Sequence, residues 1–264
     1  MQSGKKLIVI TDLDGTLLDH YTYEYTAARP AMVLLEKLDI PLILNSSKTA
    51  AELLSIRETL NNHYPFIIEN GGGIYLPKNN NYEVITLGTP LEDFLPVVSR
   101  LKNDLQLKFR GFSDMTDEEV SEYTGLSPQE SHNARKRDFT EPLLWQDNGT
   151  SLHKFSSELA KHGLQATRGG RFIHISGITD KGKSVAWLRD YYTRLFNNGI
   201  FVIALGDSPN DIEMLNNADF PIVIRSPVHE PLQIENDNLI ISKHFGPEGW
   251  NESINLCLEK LNII

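Results

Sequence analysis

The chain has 264 residues, 40% apolar and 23% charged, which is enough for a sizeable core in one large domain or two modest ones. A formal net charge of −10 leaves no basic field for nucleic acid or an anionic membrane, so a phosphorylated substrate would need local cations. The single cysteine, Cys257, excludes an intrachain disulfide, no run reaches the length of a membrane span, and the first apolar run stops at Asp12, too early for a secretory leader, so a cytoplasmic protein is expected.

The first predicted element is a short β-branched run from Ile8 that ends in Asp12 and Asp14, followed by Gly15 and Thr16. Such a run reads as a buried strand of a parallel sheet, with two acids at its carboxyl end. Asp and Gly also make ordinary turns, but two neighbouring carboxylates repel each other and become stable around a divalent cation. Pro30 then opens a helix carrying Met32, Val33, Leu35 and Leu38 on one face. Pro41–Leu44 is the second strand, and Thr49 caps a helix over Ala50–Leu60, with Glu52 in its first turn. Phe66–Glu69 is the third strand, closed by a tight turn at Asn70-Gly71-Gly72-Gly73 that lacks the lysine and spacing of a nucleotide cradle. Strand alternating with helix predicts an α/β fold with a doubly wound parallel sheet.

The pattern changes in the middle of the chain. Tyr82–Thr86 and Leu107–Phe112 read as strands around a helix at Leu91–Leu105. Helices are expected at Thr116–Tyr123 and at Ser127–Lys136, the second marked by a capping box of Ser127 and Glu130. Leu143–Trp145 is a short strand, and Ser151–His162 a helix stopped by Gly163. Leu164–Thr167 and Phe172–Ser176 pair as a hairpin. Hairpin strands interrupted by helices indicate an inserted α+β module. The predicted division is therefore a core over residues 1–81, an insertion over 82–176 and the rest of the core over 177–264.

The α/β pattern returns with a helix over Lys181–Phe196 and a buried strand at Ile200–Leu205. That strand ends in Gly206-Asp207-Ser208-Pro209-Asn210-Asp211, and a helix with Ile212, Met214 and Leu215 follows. Strands at Phe220–Ile224 and Leu239–Ile241 and a helix over Gly249–Leu261 complete the chain. Three loops thus share one pattern of strand, polar residues and helix: Asp12/Asp14, Ser46/Ser47 and Asp207/Asn210/Asp211. In a parallel sheet they emerge on one edge and can converge, with Lys181 opening a helix beside them. Singly, the serines read as helix caps and Lys181 as a solvated helix start. Jointly they make a phosphoryl-transfer constellation of acids, hydroxyls and one ammonium.

Asp12-Leu13-Asp14-Gly15-Thr16, Ser46, Lys181 and Gly206-Asp207-Ser208-Pro209-Asn210-Asp211 resemble, in order, the four motifs of the haloacid dehalogenase-like (HAD) superfamily. The resemblance implies a HAD-like, Rossmannoid core with an inserted C2-type cap. It implies Asp12 as the nucleophile and Asp14 as general acid and base, with phosphate held by Ser46, Ser47 and Lys181. It also implies Mg²⁺ bound by Asp12, Asp14 and Asp207, with Asn210 and Asp211 behind. All the ligands are oxygens, which suits Mg²⁺ better than zinc.

The cap narrows the resemblance to mannosyl-3-phosphoglycerate phosphatases. The segments that carry it are Asn45-Ser46-Ser47-Lys48-Thr49, Ile68-Glu69-Asn70-Gly71, Gly111-Phe112-Ser113-Asp114-Met115, Glu118-Glu119, Thr124-Gly125-Leu126, Arg137-Asp138-Phe139-Thr140-Glu141-Pro142 and Gly170-Arg171-Phe172-Ile173-His174. Asp138 and Ser46 depart from it, standing where Glu and Thr are commoner. The expected reaction is hydrolysis of a small phosphorylated sugar-glycerate through an aspartyl-phosphate. Arg171, Arg137 or Lys48 would meet the glycerate carboxylate, and Glu141 or Asp114 the sugar hydroxyls. Other sugar phosphates, such as glucosyl-3-phosphoglycerate or sucrose phosphate, stay open as substrates. So does a non-enzymatic phosphorylation switch. The three tryptophans and His174 read as structural.

Overall fold

The computed structural model describes residues 6–228 and 230–264. Its larger sheet is built on β1 (Lys6–Thr11), whose residues are buried after Lys6. Parallel neighbours are β2 (Leu42–Asn45) on one side and β10 (Ile200–Gly206) on the other. Beyond β2 lies β3 (Phe66–Ile68); beyond β10 lie β11 (Phe220–Arg225) and β12 (Ile240–Phe245), all parallel. β4 (Gly73–Lys78) and β5 (Asn81–Thr86) close the β3 edge as an antiparallel hairpin, giving the order β12-β11-β10-β1-β2-β3-β4-β5.

The alternation of β1 fills two layers, as the period of a strand requires. Leu7 and Val9 join one cluster with Leu35, Leu53, Trp250 and Cys257, and Ile8 and Ile10 join another with Val185, Leu188, Met214 and Leu215. The first layer thus holds α1 (Arg29–Lys37), α2 (Ala50–Thr59) and α9 (Gly246–Lys260). The second holds α7 (Lys181–Phe196) and α8 (Ile212–Asn216). This is the doubly wound α/β arrangement read from the sequence. Trp250 is fully buried and donates to Thr11 Oγ1, and Cys257 is a buried free thiol pushed up to about 12 by burial.

A second, antiparallel sheet has the order β6-β7-β9-β8, from β6 (Phe109–Gly111), β7 (Thr140–Trp145), β8 (Leu164–Gly169) and β9 (Phe172–Gly177). α3 (Leu91–Asp104) and α6 (Gly149–Ala160) cover one face, packing Phe94, Val98, Phe155 and Leu159 against Phe109, Leu143 and Ile175. α4 (Asp117–Thr124) and α5 (Pro128–Arg135) begin in reciprocal capping boxes, Thr116 with Glu119 and Ser127 with Glu130.

Two sequence expectations are corrected. Residues 73–78 form β4, which the glycine run before it disguised as loop. The strand at residues 81–86 pairs along its length with β4 in the larger sheet, so the core reaches past residue 81 and the strand does not open the insertion.

Candidate active site

Strand order reverses at β1, between β2 and β10, and the loops leaving these strands meet there, as open α/β sheets require of a ligand site. Asp12 follows β1 directly, its N–H donating to Leu205 O on β10, and is 6% exposed. The loop beyond it is closed by Gly15 N to Leu18 O and Leu18 N to Leu13 O. Gly15 has φ +81°, and a Cβ there would lie 2.6 Å from Asp207 Oδ2. Only glycine allows both the backbone twist and this approach of the β1 and β10 loops.

Lys181 is fully buried at the start of α7, whose N-cap is Asp180. Its ammonium lies 2.5 Å from Asp12 Oδ1 and 2.6 Å from Asp211 Oδ1. Burial disfavours the charged lysine, but Asp12 and Asp211 overcome this and lift its pKa above the usual lysine value. The other oxygen of Asp211 accepts from the Asp207 and Ser208 N–H groups, so this carboxylate props the loop after β10 and positions the lysine. Asp207 accepts from Thr16 Oγ1 at 3.2 Å.

Asp12, Asp207 and Asp211 each offer a carboxylate oxygen within 4.8 Å of the others. Burial and the neighbouring Asp211 charge raise Asp12 well above the carboxylate range, and the same causes push Asp207 up to about 6. A buried cluster of three acids against one lysine is short of positive charge, and its donors are all oxygen. That chemistry fits a hard divalent cation.

The sequence-predicted residues divide here. Asp14 stands at the site outside the group of three acids: its Oδ2 lies 2.8 Å from Lys48 Nζ, and its buried Oδ1 has no hydrogen-bond partner. Ser46 is buried after β2 and its Oγ accepts from Lys48 N–H; the Ser47 carbonyl accepts from Arg137. Asn210 turns outward to Asn70. Arg137 is tied to Ser47 O, Thr140 Oγ1 and Ala134 O, at the junction of the two sheets' segments. Glu141 and Asp114 lie elsewhere. Glu141 shares its strand face with Leu143, on the side of Val98 and Lys102 of α3, and accepts from the N–H and Oγ of Ser113. Asp114 is exposed beside Lys102 of α3. Arg171, on an exposed hairpin, donates to Tyr123 O.

Sequence reasoning placed Glu69 at a strand end and in a motif but gave it no role. This buried carboxylate accepts from Asp138 N–H at 2.8 Å, Phe139 N–H at 3.1 Å and Thr140 Oγ1 at 2.5 Å, and so grips the strand entering the second sheet. Its own φ is +48°. His174, its pKa pushed down to about 4 by burial and then by Arg137, is a neutral imidazole in β9.

Residues 9–237 match the family described as haloacid dehalogenase-like hydrolase. A Methanococcoides burtonii protein named glucosyl-3-phosphoglycerate/mannosyl-3-phosphoglycerate phosphatase is 39% identical over 98% of this chain and 100% of its own. A Persephonella marina protein of the same name is 34% identical, over 94% of this chain and 96% of its own. Among solved structures, a haloalkanoate-superfamily phosphatase of Bacteroides thetaiotaomicron superposes with a TM-score of 0.68 at 19% identity, covering 100% of this chain and 97% of that one. The sucrose-phosphatase of Synechocystis superposes with a TM-score of 0.62 at 14% identity, covering 96% and 98%. No helix among the described residues is long and apolar enough to cross a membrane. With its site at the reversal of the larger sheet and a second sheet set beside it, the chain belongs to the haloacid dehalogenase-like hydrolases, in the family of these phosphatases.

Proposed function

We propose that this phosphoric monoester hydrolase is Mg²⁺-dependent and converts mannosyl-3-phosphoglycerate to mannosylglycerate and phosphate. The glucosyl ester is the second candidate substrate, because the names of the two relatives pair both sugars. The observation that carries the reading is the side-by-side placement of two differently partnered acids, Asp12 on Lys181 and Asp14 on Lys48.

Asp12 Oδ1 is held by Lys181, which leaves Oδ2 to attack phosphorus. As the new P–O bond forms, the ester bond to the glycerate breaks, and Asp14 gives its proton to the departing oxygen. Water then attacks the aspartyl-phosphate, Asp14 takes the water's proton, and phosphate leaves with Asp12 restored. Lys181 neutralises charge on the transferring group throughout. Asp12 and Asp207 would hold Mg²⁺, with Asp211 behind them, and the bound ion would offset the negative charge of phosphate and carboxylates. Ser46 and Ser47, at the end of β2, line the phosphate side.

Lys48 is the cation nearest the leaving group. One hydrogen bond from Asp14, it stands where a glycerate carboxylate would arrive with its O3 at that acid. The segment from residue 87 to 176 is the lid in this reading, held shut by Glu69, Arg137 and the bond from Thr49 Oγ1 to Asn133 O.

The test is steady-state phosphate release from the mannosyl and glucosyl esters in parallel, with and without Mg²⁺. A preference for either ester over simple sugar phosphates of about 10²-fold in kcat/KM is the expected result. Equal turnover of all phosphate esters would refute the substrate assignment, and turnover after complete metal removal would refute the Mg²⁺ requirement.

A further inference from the structure

A groove of about 250 Å³ begins at Lys48 and runs along α2 past Glu52, Ser55 and Thr59. Its opposite wall is Leu18, Tyr23 and Tyr25 from the segment after β1, and its roof is Leu126, Glu130 and Asn133 of the second sheet's helical layer. Lys48 lines the groove and is paired with Asp14 Oδ2, so the groove starts on the Lys48 side of Asp14. In the proposed reaction the departing alcohol must lie on that side, since Asp14 protonates it.

The wall at Tyr23 is a built feature. Asp19 Oδ1 accepts from Tyr21 N–H, Thr22 N–H and Thr22 Oγ1, and Asp19 N–H donates to Glu24 O. This closed loop holds Tyr23 at φ +58°, a strained conformation for a bulky residue, and leaves the residue 54% exposed. The ring sits with its centroid 5.5 Å from Lys48 Nζ. An exposed aromatic fixed at the mouth of a groove is what the apolar face of a sugar ring packs against. On α2, Ser55 presents only a small side chain to the groove, which leaves room for the ring's edge. The volume lies just below the roughly 300–1,000 Å³ of pockets for drug-sized ligands, a fit for one hexose rather than a longer glycan.

We infer that this groove is the sugar subsite, in which the hexose on the glycerate lies between Tyr23 and the Ser55 face of α2 under Asn133. The inference rests on the proposed substrate class and goes beyond it, because it assigns the sugar to core residues, which the cap-based reading of the sequence left out.

The experiment compares Ser55→Phe and Tyr23→Ala with the parent enzyme on mannosyl-3-phosphoglycerate, glucosyl-3-phosphoglycerate and unglycosylated 3-phosphoglycerate. Ser55 is exposed, so the larger ring enters the groove without disturbing the core. The ratio of kcat/KM for the glycosylated esters to that for 3-phosphoglycerate falls about ten-fold or more in each variant, with the change in KM. A ratio within about two-fold of the parent in both variants overturns the subsite. If the parent hydrolyses neither glycosylated ester, the substrate proposal fails by itself. The groove is then tested by the same ratio for its best sugar phosphate against 3-phosphoglycerate, with the same two outcomes.

Discussion

Replacing Lys181 by Met is the sharpest test of the buried charge cluster. The ammonium is fully buried and makes two ion pairs, at 2.5 Å and 2.6 Å, to acids that also face Asp207. Met has a similar volume, so the loss is electrostatic. Removing one partner of a buried pair costs about 3–5 kcal/mol, because the remaining charges have no compensation. The cost depends on pH in a defined direction. Asp12 and Asp207 already titrate above their ordinary value of 3.8, Asp207 at about 6. Between these values the folded chain holds protons that the unfolded chain releases, so stability falls as pH rises through the window. Without Lys181 the acids bind their protons more tightly still. The variant therefore loses the full amount at pH 8 and about 1–3 kcal/mol less at pH 5, the free energy of a ten- to hundred-fold gain in proton affinity. In the parent, the raised lysine pKa keeps its contribution intact below 10.5 and removes it only as pH climbs through the higher folded value. The assay is urea unfolding with EDTA at the two pH values. A loss under about 1 kcal/mol at pH 8, or an equal loss at both, would refute this account of the cluster.

Asp12→Asn should abolish phosphate release, while Asp14→Asn should lower kcat by about 10²–10⁴ and let phosphorylated protein accumulate, read by mass spectrometry after acid quench. Metal-free protein should gain thermal stability on adding Mg²⁺ at pH 7.5 and less at pH 5, where the raised carboxyls of Asp12 and Asp207 retain protons; equal shifts would contradict cation binding by these acids. Glu69→Gln should destabilise the chain by about 2–4 kcal/mol in urea, since two backbone donors and the Thr140 hydroxyl lose charge-assisted bonds. Arg171→Ala should leave KM within about two-fold, because its guanidinium is bonded to Tyr123 O on an exposed hairpin, and a large rise in KM would return it to the substrate.

What was legible in the sequence was whatever local chemistry fixes. The β-branched run before Asp12, the Thr49 cap, the Ser127 capping box and the polar turn after β10 each determine their own backbone, and the structure has them as read. A parallel sheet then brings strand ends to one edge regardless of chain separation, so Asp12, Lys181, Asp207 and Asp211 could be gathered without coordinates. β4 escaped because Gly71, Gly72 and Gly73 mark a turn, and nothing local says that a strand begins at the last of them. The role of Glu69 escaped for a different reason. Its partners, residues 138–140, are about seventy positions away, and no pattern within a strand reports a contact across that separation.

The second sheet shows where such reading ends. In β7 successive side chains point to opposite faces, so Thr140 reaches Glu69 while Glu141 lies with Leu143 on the α3 side. A one-residue change of register would exchange these two roles. The motif around Arg137 and Glu141 names residues of the right chemistry, but which of them faces the acids is set by register, and register is set by pairing with β6 and β9. The same logic favours Lys48 and Tyr23 as substrate contacts. Lys48 lies in the short loop between β2 and Thr49, the N-cap of α2, and Tyr23 in a loop closed on Asp19, so both positions are fixed by local bonds that no distant register can reverse.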